Sequence, residues 1–236
     1  MKVMATSSFL FGGYKMKKQM SDTIRVGLLL AIVGGFLDAY TYLCRGQVFA
    51  NAQTGNMVLF GIKMMEGHII QALYYALPIL AFFIGIVIAE MIKHHFFEHP
   101  KIHWRQIVLM IEAIVILIVA FLPKDFNMFC NIMISFICSL QVESFRKFNG
   151  NPYASTMCTG NLRSGTELLA VGTLENNGEQ RKYGLWYYWI DLVFVAGAAA
   201  SALLCQVLAE RAVWVCAAAL LSAILFIRYH RRMAEV

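Results

Sequence analysis

"NAQTGNMVLF", residues 51–60, and "STMCTGNLRSG", residues 155–165, carry the same Thr-Gly-Asn triplet, at 54–56 and 159–161. Each polar cluster interrupts a strongly apolar stretch. Aligning the two triplets sets an offset of 105 residues, and the same offset pairs Asp38 with Glu143, Tyr40 with Phe145 and Ile32 with Ile137. Each half then reads as a long apolar segment, a short polar-tipped segment and two more long apolar segments. The chain looks duplicated, and the triplets mark equivalent points of the two copies.

The composition gives the setting. Of 236 residues, 59% are hydrophobic and only 14% charged, with a mean hydropathy of +0.62; soluble domains carry about 25% charged residues. A helix needs about 20 apolar residues to cross a hydrocarbon layer, and six stretches qualify, near 24–43, 70–92, 106–122, 127–145, 185–208 and 212–228. Trp104, Trp186, Trp189 and Trp214 lie close to their ends, as interfacial aromatic rings do. The net charge of +6 is scattered over loop ends rather than along one face, so no nucleic-acid partner is expected. Six cysteines without a Cys-x-x-Cys pair read as core residues. The run "KHHFFEHPKIH" (93–103) matches no standard metal spacing and reads as a solvated interfacial loop. No metal and no cofactor are expected.

The short segments decide the topology. Twelve residues from Thr54 to Met65 make about 18 Å of helix, little more than half a bilayer. In the second copy Arg163 and Glu167 would each cost about 3 kcal/mol at a lipid-facing centre. Charge agrees with six crossings and an inside N-terminus. The cytosol then receives Lys15, Lys17, Lys18 and Arg25, next Lys93, Lys101 and Arg105, next Arg146, Lys147, Arg181 and Lys182, and last Arg228, Arg231 and Arg232. Eight crossings would move the 93–105 loop and the Arg146–Lys147 pair outside. Three spans per half is an odd number, which turns the second half over. The expectation is an all-α membrane protein with six transmembrane helices plus two re-entrant half-helices in an inverted repeat. Residues 1–22 form a cytosolic N-terminal arm, with Met16 and Met20 as alternative starts, 23–123 the first repeat, 124–229 the second and 230–236 a cytosolic tail.

In this reading Thr54 and Thr159 begin half-helices near the midplane. Thr54 is a good N-cap, Gly55 and Gly160 allow close backbone approach, and Asn56 and Asn161 add side-chain amides where unsatisfied N–H groups and the helix dipole favour negative charge. Asp38 falls about 21 Å along the first span and Glu143 near the inner end of the fourth; each either lines a pathway or caps the neighbouring half-helix. Asn51, Gln53 and Gln141 can line the same cavity or tie helices together. Arg163, one turn into the second half-helix, can pair with Glu143 or Glu167 or bind an anionic solute. Glu112 and Asp191 lie nearer span ends and read as interfacial.

"GGFLDAYTYL" (34–43), "NAQTGN" (51–56) and "LQVESFRKFNGNPYASTMCTGNLRSG" (140–165) resemble the YoaK family of bacterial inner-membrane proteins, a domain of unknown function, over roughly residues 24–228. The resemblance implies a multi-span helical fold in the bacterial cytoplasmic membrane and no particular activity. Glu143 stands where many relatives are expected to carry an uncharged polar residue. Inverted halves with broken helices are a recurring way to build a transport site, so the expected function is a transporter or channel for a small solute or ion, with both termini cytosolic. The alternative is a sensor or assembly subunit. An intramembrane enzyme is disfavoured, since there is no Ser/His/Asp order, no His-Glu-x-x-His and no Gly-Lys-Ser/Thr loop. The "AGAAASA" run at 196–202 permits close helix packing within the fold or in a homo-oligomer.

Overall fold

The computed structural model describes residues 23–97, 99, 103–148 and 151–234; the N-terminal arm lies outside these. The first repeat runs α1 (Ile24–Cys44), α2 (Gln53–Met65), α3 (Ile69–Phe96) and α4 (Trp104–Phe121). A single 3-10 turn at Lys124–Phe126 leads into α5 (Asn127–Ser144). A two-stranded hairpin follows, β1 (Lys147–Phe148) against β2 (Asn151–Pro152). The chain continues through α6 (Cys158–Leu174), α7 (Gly178–Leu208), a 3-10 segment (Ala209–Val213) and α8 (Trp214–Ala234). The order long, short, long, long thus occurs twice.

Among the described residues, five helical stretches are long and apolar enough to cross a membrane: Ile24–Cys44, Ile69–Phe96, Trp104–Phe121, Lys124–Ser144 and the 50-residue Gly178–Ile227, which takes in α7 and most of α8. This is a multi-pass membrane protein. Large apolar side chains such as Phe83, Met110, Ile114 and Leu203 face outward, which suits a surface solvated by lipid. The 13-residue α2 and 17-residue α6 are not among the five.

The long helices pack crosswise between repeats. α1 lies most extensively against α7, α5 against α3, and α4 against α8. Glycines permit the closest approaches. A Cβ on Gly35 would run into the Phe194 carbonyl, and one on Gly197 into the Ile32 carbonyl, so α1 and α7 touch backbone to backbone. The small-residue run at 196–202 is therefore spent, at Gly197 and the buried Ser201, inside the fold.

Two arginines show how the helices run. Arg45, just past α1, donates to the carbonyls of Val119 (3.0 Å) and Leu122 (2.9 Å) at the end of α4, and Asn131 near the start of α5 donates to the Arg45 carbonyl (2.7 Å). Arg105, at the start of α4, donates to the Ser144 carbonyl at the end of α5 (2.8 Å). The end of α1, the end of α4 and the start of α5 share one side of the molecule, which we call side A; the start of α4 and the end of α5 share side B. The leading helices of the two repeats, α1 and α5, run in opposite directions.

Several boundaries differ from the sequence-based expectation. α7 starts at Gly178, about seven residues before the apolar stretch, because the Asn177 side chain accepts from the N–H groups of Glu179 and Gln180 and caps a polar first turn. α3 extends to Phe96, so His94 and His95 lie on its last turn rather than in a loop. Neither Thr54 nor Thr159 is an N-cap. Each is the second residue of its helix, behind Ala52 and Met157 at the cap positions. Backbone bonds close both turns, Gly55 N to Ala52 O (2.9 Å) and Gly160 N to Met157 O (3.0 Å), so the helices begin one residue earlier without a capping hydroxyl.

Candidate functional site: two clamped loops at the centre of the bundle

The loops before the two short helices, α2 and α6, are held by the same device. In the first repeat Asn56 Nδ2 donates to the Phe49 carbonyl (2.7 Å) while its Oδ1 accepts from the Phe49 N–H (3.1 Å). In the second, Asn161 Nδ2 donates to the Ala154 carbonyl (2.7 Å) and its Oδ1 accepts from the Ala154 N–H (3.2 Å). Both amides are buried. A primary amide offers a donor and an acceptor side by side, the complement of one residue's C=O and N–H, so an asparagine seven residues on can close an irregular loop that has no ladder to join. That is the local reason for the repeated triplet.

Further bonds tie each loop into the bundle. The Gln53 amide donates to the Ala50 carbonyl (2.9 Å) and to Ser135 Oγ (2.6 Å), and Ser135, halfway along α5, also reaches Pro78 O on α3 (2.9 Å). On the other side Gln141 of α5 donates to the Leu30 carbonyl of α1 (3.2 Å) and to Ser155 Oγ (2.9 Å). Asp38 accepts from the Asn51 N–H (2.6 Å), and the Asn51 amide donates to the Gly34 carbonyl (3.2 Å). A Cβ on Gly34 would strike the Thr156 methyl and lie 3.6 Å from the Ser155 carbonyl. Gly34, midway along α1, therefore has one loop on its carbonyl and the other against its Cα, and the two tips meet there.

The sequence-based candidates divide accordingly. Asp38, Asn51, Gln53, Asn56, Gln141 and Asn161 are gathered around the loops. Gly55 packs under the Phe49 ring, whereas Gly160 has open space over its Cα. Thr54 and Thr159 are exposed, as is Arg163. Glu143 is not brought to the second loop: it is half-buried near the end of α5, 3.0 Å from Arg146. The carboxylate beside that loop is Asp191 of α7, which accepts from Asn161 Nδ2 (2.9 Å).

Asp191 and Glu112 are both buried, not interfacial. The early start of α7 puts Asp191 about 20 Å along its helix, and Glu112 is midway along α4. Neither has a partner in sequence that would give it away. Four buried side-chain oxygens have no hydrogen-bond partner in this region: Asn51 Oδ1, Thr156 Oγ1, Asp191 Oδ2 and Glu112 Oε1. Buried polar atoms are overwhelmingly satisfied, so the Asn51, Thr156 and Asp191 oxygens on and beside the loops stand out, while Glu112 lies apart in the apolar core of α4.

No curated protein matches the chain, and no solved structure does. One family matches nearly all of it, over residues 26–227, a span that includes both loops and both half-helices. The chain belongs to the family described as "Protein of unknown function (DUF1275)".

Proposed function

We propose that this protein is a transporter or channel for a small solute or ion in the bacterial cytoplasmic membrane, built from two inverted halves, and not an enzyme. The observation that carries the reading is the matched pair of Asn-clamped loops meeting at Gly34. Each loop precedes a helix too short to span, and each helix returns to the side from which its loop entered: α2 toward side A and α6 toward side B. Irregular backbone at that depth is tolerated only where protein or a water-filled cavity surrounds it. In transporters such broken helices place dipole ends and carbonyls at the substrate. In this reading six helices span, α2 and α6 are re-entrant, and side B is cytosolic with both termini.

The Asn56 and Asn161 amides are committed to their clamps, so solute contacts fall to the neighbouring groups: Asp38, Asn51, Thr54, Thr159, Thr156, Asp191 and, at the mouth, Arg163. The test is a solute screen on purified protein, read as thermal stabilisation and as flux in liposomes. Thr54→Val and Thr159→Val remove exposed hydroxyls that make no hydrogen bond among the described residues. They should leave the melting temperature of the solute-free protein unchanged while reducing the solute-dependent stabilisation. An unaltered solute response in both variants sinks the assignment of the tips, and absence of flux for every solute sinks transport.

A further inference from the structure

Glu112 is buried to all but 2% of its surface. Among the described residues it makes no hydrogen bond and no ion pair, and its Oε1 is wholly sealed from solvent. Its surroundings on α4 are Val108, Leu109, Ala113 and Ile116, all buried. Among the described residues, no side chain pairs with it as a counter-charge. From α5 comes Cys138, which shares one buried cluster with Leu109, Ala113 and Ile116 of α4, Leu37 of α1, Ala50 of the first loop and Cys216 of α8. Glu90 and Lys93 of α3 are paired with each other, and Glu210 is paired with Lys124. Arg105 on α4 itself is turned to the Ser144 carbonyl and stacks on Trp104 and Phe145, while Arg211 is exposed.

An isolated carboxylate in a dry core costs several kcal/mol, so a positive charge must join it. A proton needs no cavity, whereas a metal ion needs several oxygens gathered around it, and no three His, Cys, Asp or Glu among the described residues are placed to hold one. Asn51, 5% exposed, carries a second buried oxygen without a partner, Oδ1, in the loop whose N–H Asp38 accepts. We propose that Glu112 is a proton-binding group of the permeation pathway, set in the buried cluster that joins α4 to the first loop at Ala50. This rests on the transport reading for its purpose. No bond other than O–H forms or breaks, and no oxidant or reductant is involved.

The test is infrared difference spectroscopy on the full-length protein in lipid as pH is varied. The expected result is a carboxylic-acid carbonyl band that shifts on labelling with [13C]glutamate, disappears in Glu112→Gln and is unaffected by sodium at constant pH. A band that fails to shift with labelled glutamate overturns the proposal, as does one that persists in a folded Glu112→Gln protein or is removed by sodium. The labelling arm uses the unaltered chain, so it stands even where the variant fails to fold. A glutamic-acid band without flux for any solute would leave the proton site and remove the transport reading. Flux without such a band would do the reverse.

Discussion

Asn56 and Asn161, themselves buried, each satisfy one half-buried peptide unit across seven residues of chain. Truncation to alanine leaves the Phe49 or Ala154 N–H and C=O without partners, and an orphaned buried group costs about 1–3 kcal/mol. Asn56→Ala and Asn161→Ala should each lower stability by about 2 kcal/mol, by similar amounts because the geometry is the same, as measured by thermal or denaturant unfolding in detergent. A neutral result at either position would mean that the clamp does not hold the loop. Arg45 is the second residue to test. Its sequence context suggests a loop charge, yet it is fully buried, with Nε on Tyr40 Oη (2.8 Å) and its guanidinium fork on the last carbonyls of α4. Lysine keeps the charge but cannot present that planar fork, so Arg45→Lys should destabilise by about 2 kcal/mol, within the range for hydrogen bonds to charged groups. A loss of less than a few tenths would show that charge alone suffices. Both cases mark the limit of what sequence conveys here: the triplet announced a repeated device, but only the fold reveals that the amides point back at the chain rather than toward a solute.

At the level of elements, the apolar runs made α1, α3, α4, α5, α7 and α8 legible, since hydrophobic length is read directly from composition. The short α2 and α6 were legible because their length and charge fit no span. What was hidden was partnership. The offset of 105 residues paired Glu143 with Asp38, but α5 ends at Ser144, leaving Glu143 beside Arg146 on the last turn, while Asp191 reaches the second loop from a different helix. Sequence symmetry matches positions along the chain and is blind to crosswise packing, in which the third helix of one repeat covers the first of the other. That packing depends on the α1–α7 contact. Gly35→Ala and Gly197→Ala would each drive a methyl group into a main-chain carbonyl of the opposing helix, which rotamer changes cannot relieve. Each should sharply reduce the yield of monodisperse protein on size exclusion. Gly61→Ala, with open space over its Cα on α2, should be neutral or stabilising by up to about 1 kcal/mol from helix propensity. Equal behaviour of all three variants would show that the glycines do not set the approach of α1 to α7.

For the whole molecule, the proposal puts side B in the cytosol, and the distribution of charge is what supports it. At side A, where α1 and α4 end, Arg45 is buried against carbonyls, Lys63 pairs with Glu66 (2.6 Å) and Lys124 with Glu210 (3.3 Å). Among the described residues there, Arg211 lacks such a partner. Side B carries Arg25 at the start of α1, Arg146, which pairs with Glu143, and Lys147 after α5, and Arg181 and Lys182 at the start of α7, all exposed. Short loops rich in Lys and Arg stay in the cytoplasm, so the proposed orientation puts side B inside. The orientation can be read in intact cells from a chain whose native cysteines are replaced, with one new cysteine at a time. Glu66→Cys, on the exposed turn between α2 and α3, should react with a membrane-impermeant maleimide added outside, and Lys147→Cys, in the β1–β2 hairpin, should react only after permeabilisation. Reaction of Lys147→Cys but not Glu66→Cys would turn the molecule over while keeping α2 re-entrant. Reaction of both from outside would require an additional crossing between them, because the chain passes from side A to side B through α3, back through α4 and across again through α5. The re-entrant assignment of α2, and with it the inverted relation of the two halves, would then fall.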